Sequence, residues 1–288
     1  MNTLFPLLAV GIWTGNTLVT KSAVTAIAPA AIAFYRWVLA GAILTPFVAR
    51  AVWHKRAVVA RHWPRLALLG ALGMATYQGL AYQAARTTTA INMGVIVATM
   101  PLMSALLAAA AGGERPTRAT IGGALLSLAG VVVLAAQGAP ARLLHGGLHP
   151  GDALMVVAVA SNAVYGVLLK RWALPLSTWE QLYVQIGFGV LCLAPFWWCA
   201  PASPVTAANL PLVLYAGTAA SIGAPFCWMN GIKRIGPARA AVFMNLLPLL
   251  VALGAWGLLG ERLHGYHAAG GALVLAGLLW SQRRSRLH

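Results

Sequence analysis

The chain has 288 residues, of which 60% are hydrophobic and only 8% charged, with a mean hydropathy of +0.78. Soluble domains carry about 25% charged residues, so a water-facing globular domain is excluded. The formal net charge of +16 invites a nucleic-acid partner, and the placement of that charge rules one out.

A helix needs about 20 apolar residues to cross the hydrocarbon core. Ten such spans are predicted, over 4–26, 30–50, 65–85, 88–112, 118–137, 152–172, 177–198, 209–232, 237–259 and 265–282. Span 1 contains Trp13, Asn16, Thr20 and Lys21. Ser22-Ala23-Val24 resembles a cleavage site, but no basic residue precedes the apolar run and Trp13 and Asn16 interrupt it, so span 1 is expected to remain. Span 2 adds Arg36. Both cations are expected to snorkel to the outer interface; the functional alternative is that Lys21 attracts a substrate carboxylate or gates the outer mouth.

Polar groups inside apolar helices are candidates for function, because lipid penalises them unless they are paired or wet. Span 3 offers Tyr77, Gln78 and Tyr82, the last two sharing a face at a spacing of four. Span 4 offers Asn92, span 6 Ser161, Asn162 and Tyr165, span 8 Trp228 and Asn230, and span 9 Met244 and Asn245. With Trp13 and Asn16 they supply aromatic surfaces and neutral hydrogen-bonding groups suited to small amphipathic solutes. The plainer alternative for each is an interhelical bond or an anchor at the membrane interface.

With the N-terminus in the cytoplasm, only Lys21, Arg36, Arg86, Arg142 and Arg262 of the 20 Lys and Arg fall on the far side. That bias orients a ten-span protein with both ends in the cytoplasm. The acidic residues, Glu114, Asp152, Glu180 and Glu261, all sit at or near helix ends, so no deep carboxylate relay is evident and obligatory proton coupling is not expected. Glu180 is the residue best placed to overturn this, while Glu114 and Glu261 are expected to cap and orient hairpins. Cys192, Cys199 and Cys227 have no paired spacing, and His264 and His267 lack a third ligand. No metal or other cofactor is expected. The phosphate-binding G-x4-G-K-[ST] motif is absent, and no His/Asp/Glu cluster suggests an enzyme.

Pro64–Gly130 can be laid on Pro211–Gly277 without a gap: Gly70 meets Gly217, Pro101-Leu102 meets Pro248-Leu249, and Gly113-Glu114-Arg115 meets Gly260-Glu261-Arg262. The predicted organisation is a first five-helix repeat (1–137), a linker (138–151) and a second repeat (152–288). An odd number of spans per repeat inverts the second, and inverted repeats about a central site are the basis of alternating access. Pro101 and Pro248, matched in depth, are candidate hinges. Gly122-Gly123 with Gly130, and Gly270-Gly271 with Gly277, predict close helix packing within the chain, or a homodimer face.

The doubled plan, the repeated Pro-Leu and Gly-Glu-Arg block and the succeeding glycines resemble the drug/metabolite transporter superfamily, and within it the EamA-type ten-helix members. Trp13-Thr14-Gly15-Asn16 and Lys21 in span 1 look like the amino-acid exporter branch, which includes aromatic amino-acid exporters. The Gly15-Asn16 motif is not duplicated in the second half. The resemblance implies an all-α integral membrane protein with a central cavity lined by spans 1, 3, 4, 6, 8 and 9, with spans 5 and 10 outside it. It further implies an exporter of amino acids in the inner membrane, for which a monomer suffices and a homodimer stays open. The alternatives are a carrier of another metabolite or a drug and, from a different class, an integral-membrane enzyme.

Overall fold

In lipid every backbone polar group must be satisfied internally, which leaves helices or closed barrels. The computed structural model describes residues 3–110, 118–139, 149–235 and 243–282, and shows helices with no strand among them. Spans 1, 2, 5, 6, 7 and 10 are single helices, over Leu4–Ser22, Pro29–His54, Arg118–Ala135, Pro150–Trp172, Thr178–Cys199 and Gly265–Gln282. Their ends follow local chemistry. Pro29 opens span 2 where its missing N–H is no loss. Ser177 and Glu180 form a capping box at span 7, and Gly260, at φ 66°, closes span 9. The predicted linker and Glu114-Arg115 fall largely or wholly outside the described residues.

The other four spans are interrupted, and in matching ways. Span 3 runs Arg56–Leu69, then a π-helical stretch Gly70–Thr76, then Tyr77–Ala84. Span 8 runs Leu210–Leu214, a π-helical stretch Tyr215–Gly223, then Ala224–Ile235. The repeat partners Gly70 and Gly217 both lie in these widened turns. Carbonyls in the first of them serve neighbouring helices: Leu72 O accepts from Ser161 Oγ at 3.1 Å and Met74 O from Trp37 Nε1 at 2.9 Å. Span 4 breaks between Ala90–Val97 and Met100–Ala110, and in span 9 a 3-10 turn, Met244–Leu246, precedes Leu247–Leu259. Pro101 and Pro248 therefore each stand in the first turn of a restarted helix, where proline is tolerated.

Packing follows the duplication. Spans 2 and 7 pack together, as do spans 5 and 10, and each of these pairs maps onto itself when the halves are exchanged. The contacts of span 3 with 6, 4 with 6 and 3 with 7 are matched by 8 with 1, 9 with 1 and 8 with 2. A Cβ on Gly277 would lie 2.4 Å from Gly123 O, and one on Gly130 2.6 Å from Gly270 O. Spans 5 and 10 thus cross antiparallel at two close glycine contacts, a use of small residues within the chain. Replacing Gly277 by Val is expected to cost ~1–3 kcal/mol by overpacking, read as an earlier thermal transition in detergent. Gly257→Val, with open space around its Cβ, should leave that transition in place.

Candidate binding cavity

The interrupted spans 3, 4 and 8 contribute to the wall of a cavity of about 640 Å³ between the halves, within the size range of small-molecule sites. Trp13, Trp37, Tyr77, Tyr165 and Trp228 wall it, with Met74, Met100 and Met229 beside them. A second chamber of about 190 Å³ shares Trp13, Arg36, Tyr77, Gln78, Met100 and Asn162, and adds Asn16 and Met244. The indoles of Trp13 and Trp228 meet at 5.5 Å with their planes 55° apart. Gly73 lets span 3 approach span 6 closely, since a Cβ there would lie 2.9 Å from the Tyr165 ring. Tyr165 in turn donates to Gln185 Oε1 at 3.1 Å.

Arg36 is the main departure from expectation. It does not snorkel: the residue is 1% exposed and lines both chambers. Its Nη1 donates to Gln78 Oε1 at 2.8 Å and to Tyr82 Oη at 3.2 Å, while Nε and Nη2 donate to Ser221 Oγ at 3.3 and 2.9 Å. The guanidinium carbon lies 5.0 Å from the Trp37 ring centroid. All these partners are neutral. The recorded ion pair among the described residues is Lys55–Glu180, at 2.8 Å. Desolvating a long cation is tolerated here because neutral oxygens and aromatic faces replace water.

Of the predicted residues, the structure brings Trp13, Asn16, Tyr77, Gln78, Asn162, Tyr165, Trp228 and Met244 to the cavity. Tyr82 stands behind it as a partner of Arg36, and Ser161 ties span 6 to span 3. Asn230 bonds back to Phe226 O within its own helix, and the Asn245 side chain lies outside the described ones. Sequence reasoning missed Arg36, Trp37, Gln181 and Gln185, so spans 2 and 7 line the cavity in addition to those the resemblance implied. Gln181 and Gln185 are four apart on span 7, a shared-face signal that was available. Gln181 Oε1, Gln185 Nε2 and Asn16 Oδ1 are buried amide atoms without a partner.

At one end the cavity reaches Leu169, Thr178 and Gln181, next to the Lys55–Glu180 pair. Glu180 is committed there, accepting from Lys55 Nζ at 2.8 Å and from Ser177 N at 2.7 Å. Away from that end, polar contacts gather on the turn between spans 3 and 4. Lys21 Nζ donates to Ala85 O at 2.8 Å and Thr88 O at 2.5 Å. Glu261 accepts from the Ala90 and Ile91 amides at 2.7 and 3.2 Å, capping span 4 from the other half rather than its own hairpin. Asp152, 4% exposed, takes Thr88 Oγ1 and Asn92 Nδ2. Asn92 and Lys21 therefore belong to this cluster of contacts and line neither chamber. His264 N donates to His267 Nδ1 at 3.1 Å, and no group of three metal-ligating residues occurs among the described residues.

The profile of the EamA-like transporter family matches this chain twice, over residues 2–136 and 149–282. An uncharacterised transporter of Archaeoglobus fulgidus is 28% identical, over 93% of this chain and 92% of its own. A "probable terminal-alkyne amino-acid exporter" of Streptantibioticus cattleyicolor is 29% identical, over 78% and 75%. One solved crystal structure shares the fold with a TM-score of 0.63 at 23% identity, covering 98% of this chain and 96% of that one.

Proposed function

We propose that this chain, which belongs to the EamA-like transporter family of the drug/metabolite transporter superfamily, is a secondary carrier that exports amino acids, with aromatic and other apolar side chains favoured. The observation that carries this reading is the cavity itself. Its aromatic and methionine walls suit an apolar side chain, and the unpartnered amides of Asn16, Gln181 and Gln185 suit the polar end of the same solute. The likeness to an amino-acid exporter points the same way.

Transport proceeds by alternating access, with the halves as inverted repeats rocking about the breaks ahead of Pro101 and Pro248. The antiparallel crossing of spans 5 and 10, and the double match of one family profile, support the inversion. The distribution of Lys and Arg favours cytoplasmic termini in an inner membrane; in that orientation the Lys21 end faces outside and the Lys55 end the cytoplasm. With Glu180 engaged by Lys55 and Ser177, the carrier runs on the gradient of its solute without obligatory proton coupling.

Purified protein in proteoliposomes is expected to show saturable uptake of radiolabelled phenylalanine or leucine, accelerated by unlabelled substrate inside and indifferent to a pH gradient. Absence of uptake for every amino acid would transfer the cavity to another metabolite or a drug. A requirement for the gradient would sink the uncoupled mechanism and turn attention to Asp152 and Glu180.

A further inference from the structure

We infer that Arg36 is the anchor for a substrate carboxylate, and that a carboxylate is the group every transported solute must carry. The inference deepens the proposed function and rests on its cavity being the transport site. Its support is independent of the amino-acid likeness.

The guanidinium is fully buried yet unneutralised. Its partners Gln78, Tyr82 and Ser221 come from spans 3 and 8, so both halves hold the cation in one orientation. These bonds engage all but one of the N–H donors that a guanidinium carries. The remaining N–H belongs to Nη2, and Arg36 lines both chambers. A cation held this way in low dielectric binds an entering anion strongly, since the protein has already met the desolvation cost.

Gln185 adds a second, separate observation. It is 1% exposed and lines the same cavity, its Oε1 accepts from Tyr165, and its Nε2 has no partner. A carboxylate entering the larger chamber meets two kinds of unsatisfied donor there, one charged and one neutral. Acceptors for an ammonium group are present in Asn16 Oδ1 and Gln181 Oε1, but no side-chain carboxylate lines either chamber. The cavity therefore demands the acid group and only accommodates the amine. The counterpart of Arg36 in the second repeat is Gln185, since Gly70 faces Gln185 O and Phe188 Cβ as its partner Gly217 faces Arg36 O and Leu39 Cβ, so the cavity holds one such anchor, not two.

The test uses the full-length protein in nanodiscs, with L-phenylalanine, L-leucine, L-phenylalaninamide and 3-phenylpropanoate as probes and ligand-induced thermal shift as the readout. The two acids with an amine and the acid without one should stabilise the protein, and the amide should bind ~30-fold or more weakly. Arg36→Gln should remove that preference, leaving acid and amide alike. Arg36→Lys should keep the preference at lower affinity, which separates loss of the charge from loss of the fold. Equal binding of phenylalanine and its amide by the unaltered protein overturns the anchor and leaves the amino-acid reading standing. Binding of 3-phenylpropanoate without either amino acid overturns the amino-acid reading and upholds the anchor. No shift with any of the acids overturns both.

Discussion

Substituting Lys21→Met together with Glu261→Gln is expected to open the cavity at the Lys21 end. Lys21 holds the carbonyls of Ala85 and Thr88, and Glu261 holds the amides of Ala90 and Ile91, so both act on one turn from different elements. Hydrogen bonds to charged groups contribute ~1.5–3 kcal/mol each, and each ~1.4 kcal/mol shifts a two-state population about tenfold. With Cys192, Cys199 and Cys227 replaced and Asn16→Cys introduced as a reporter, labelling by an impermeant maleimide from the Lys21 side should rise ~10-fold or more. Unchanged labelling with a lowered thermal transition would mean that these contacts hold the fold and gate nothing.

Gly73→Val is expected to abolish most transport while the protein remains folded. The Cβ would press on the Tyr165 ring from 2.9 Å, displacing a side chain whose hydroxyl meets Gln185 at 3.1 Å. The position is helical, so the backbone accepts valine, and the strain is confined to the cavity wall. Overpacking of ~1–3 kcal/mol at a contact formed with bound solute lowers counterflow by ~10-fold or more. Tyr165→Phe, which deletes only the hydroxyl, should reduce it less. Normal counterflow by Gly73→Val would remove Tyr165 from the proposed site.

The spans were legible because hydropathy is summed over a whole helix, and the match of Gly70 with Gly217 placed the same element in each half. What hydropathy does not encode is azimuth and depth. A place near the start of span 2 points Arg36 to the interface; its burial depends on Gln78, Tyr82 and Ser221, which are remote in the chain. The π-helical turns were equally hidden, since nothing in Gly70–Thr76 or Tyr215–Gly223 forbids an ordinary helix. Only glycine fits at position 70, because a Cβ there would sit 2.5 Å from Gln185 O, a tertiary fact. Asn92 and Asn162 looked alike as polar residues in apolar helices. One belongs to the contacts at the Lys21 end, where it meets Asp152, and the other to the cavity, where it meets Met100.

The halves match in packing but not in every polar contact. In the repeat alignment Ala90 corresponds to Pro237, which has no amide hydrogen to donate. The bond from the Ala90 amide to Glu261 therefore has no twin at the other end, and the two end states of the empty protein differ in free energy. For an uncoupled carrier, microscopic reversibility forbids that difference from becoming net pumping: Vmax divided by KM must be equal for entry and exit. The bias must appear instead as a high half-saturation constant on the Lys55 face, matched by a proportionally high maximal rate from that face, because the empty protein returns readily to the state open there. Such a protein discharges a solute fast when it builds up to high concentration on that side, and it is slow to let the same solute return.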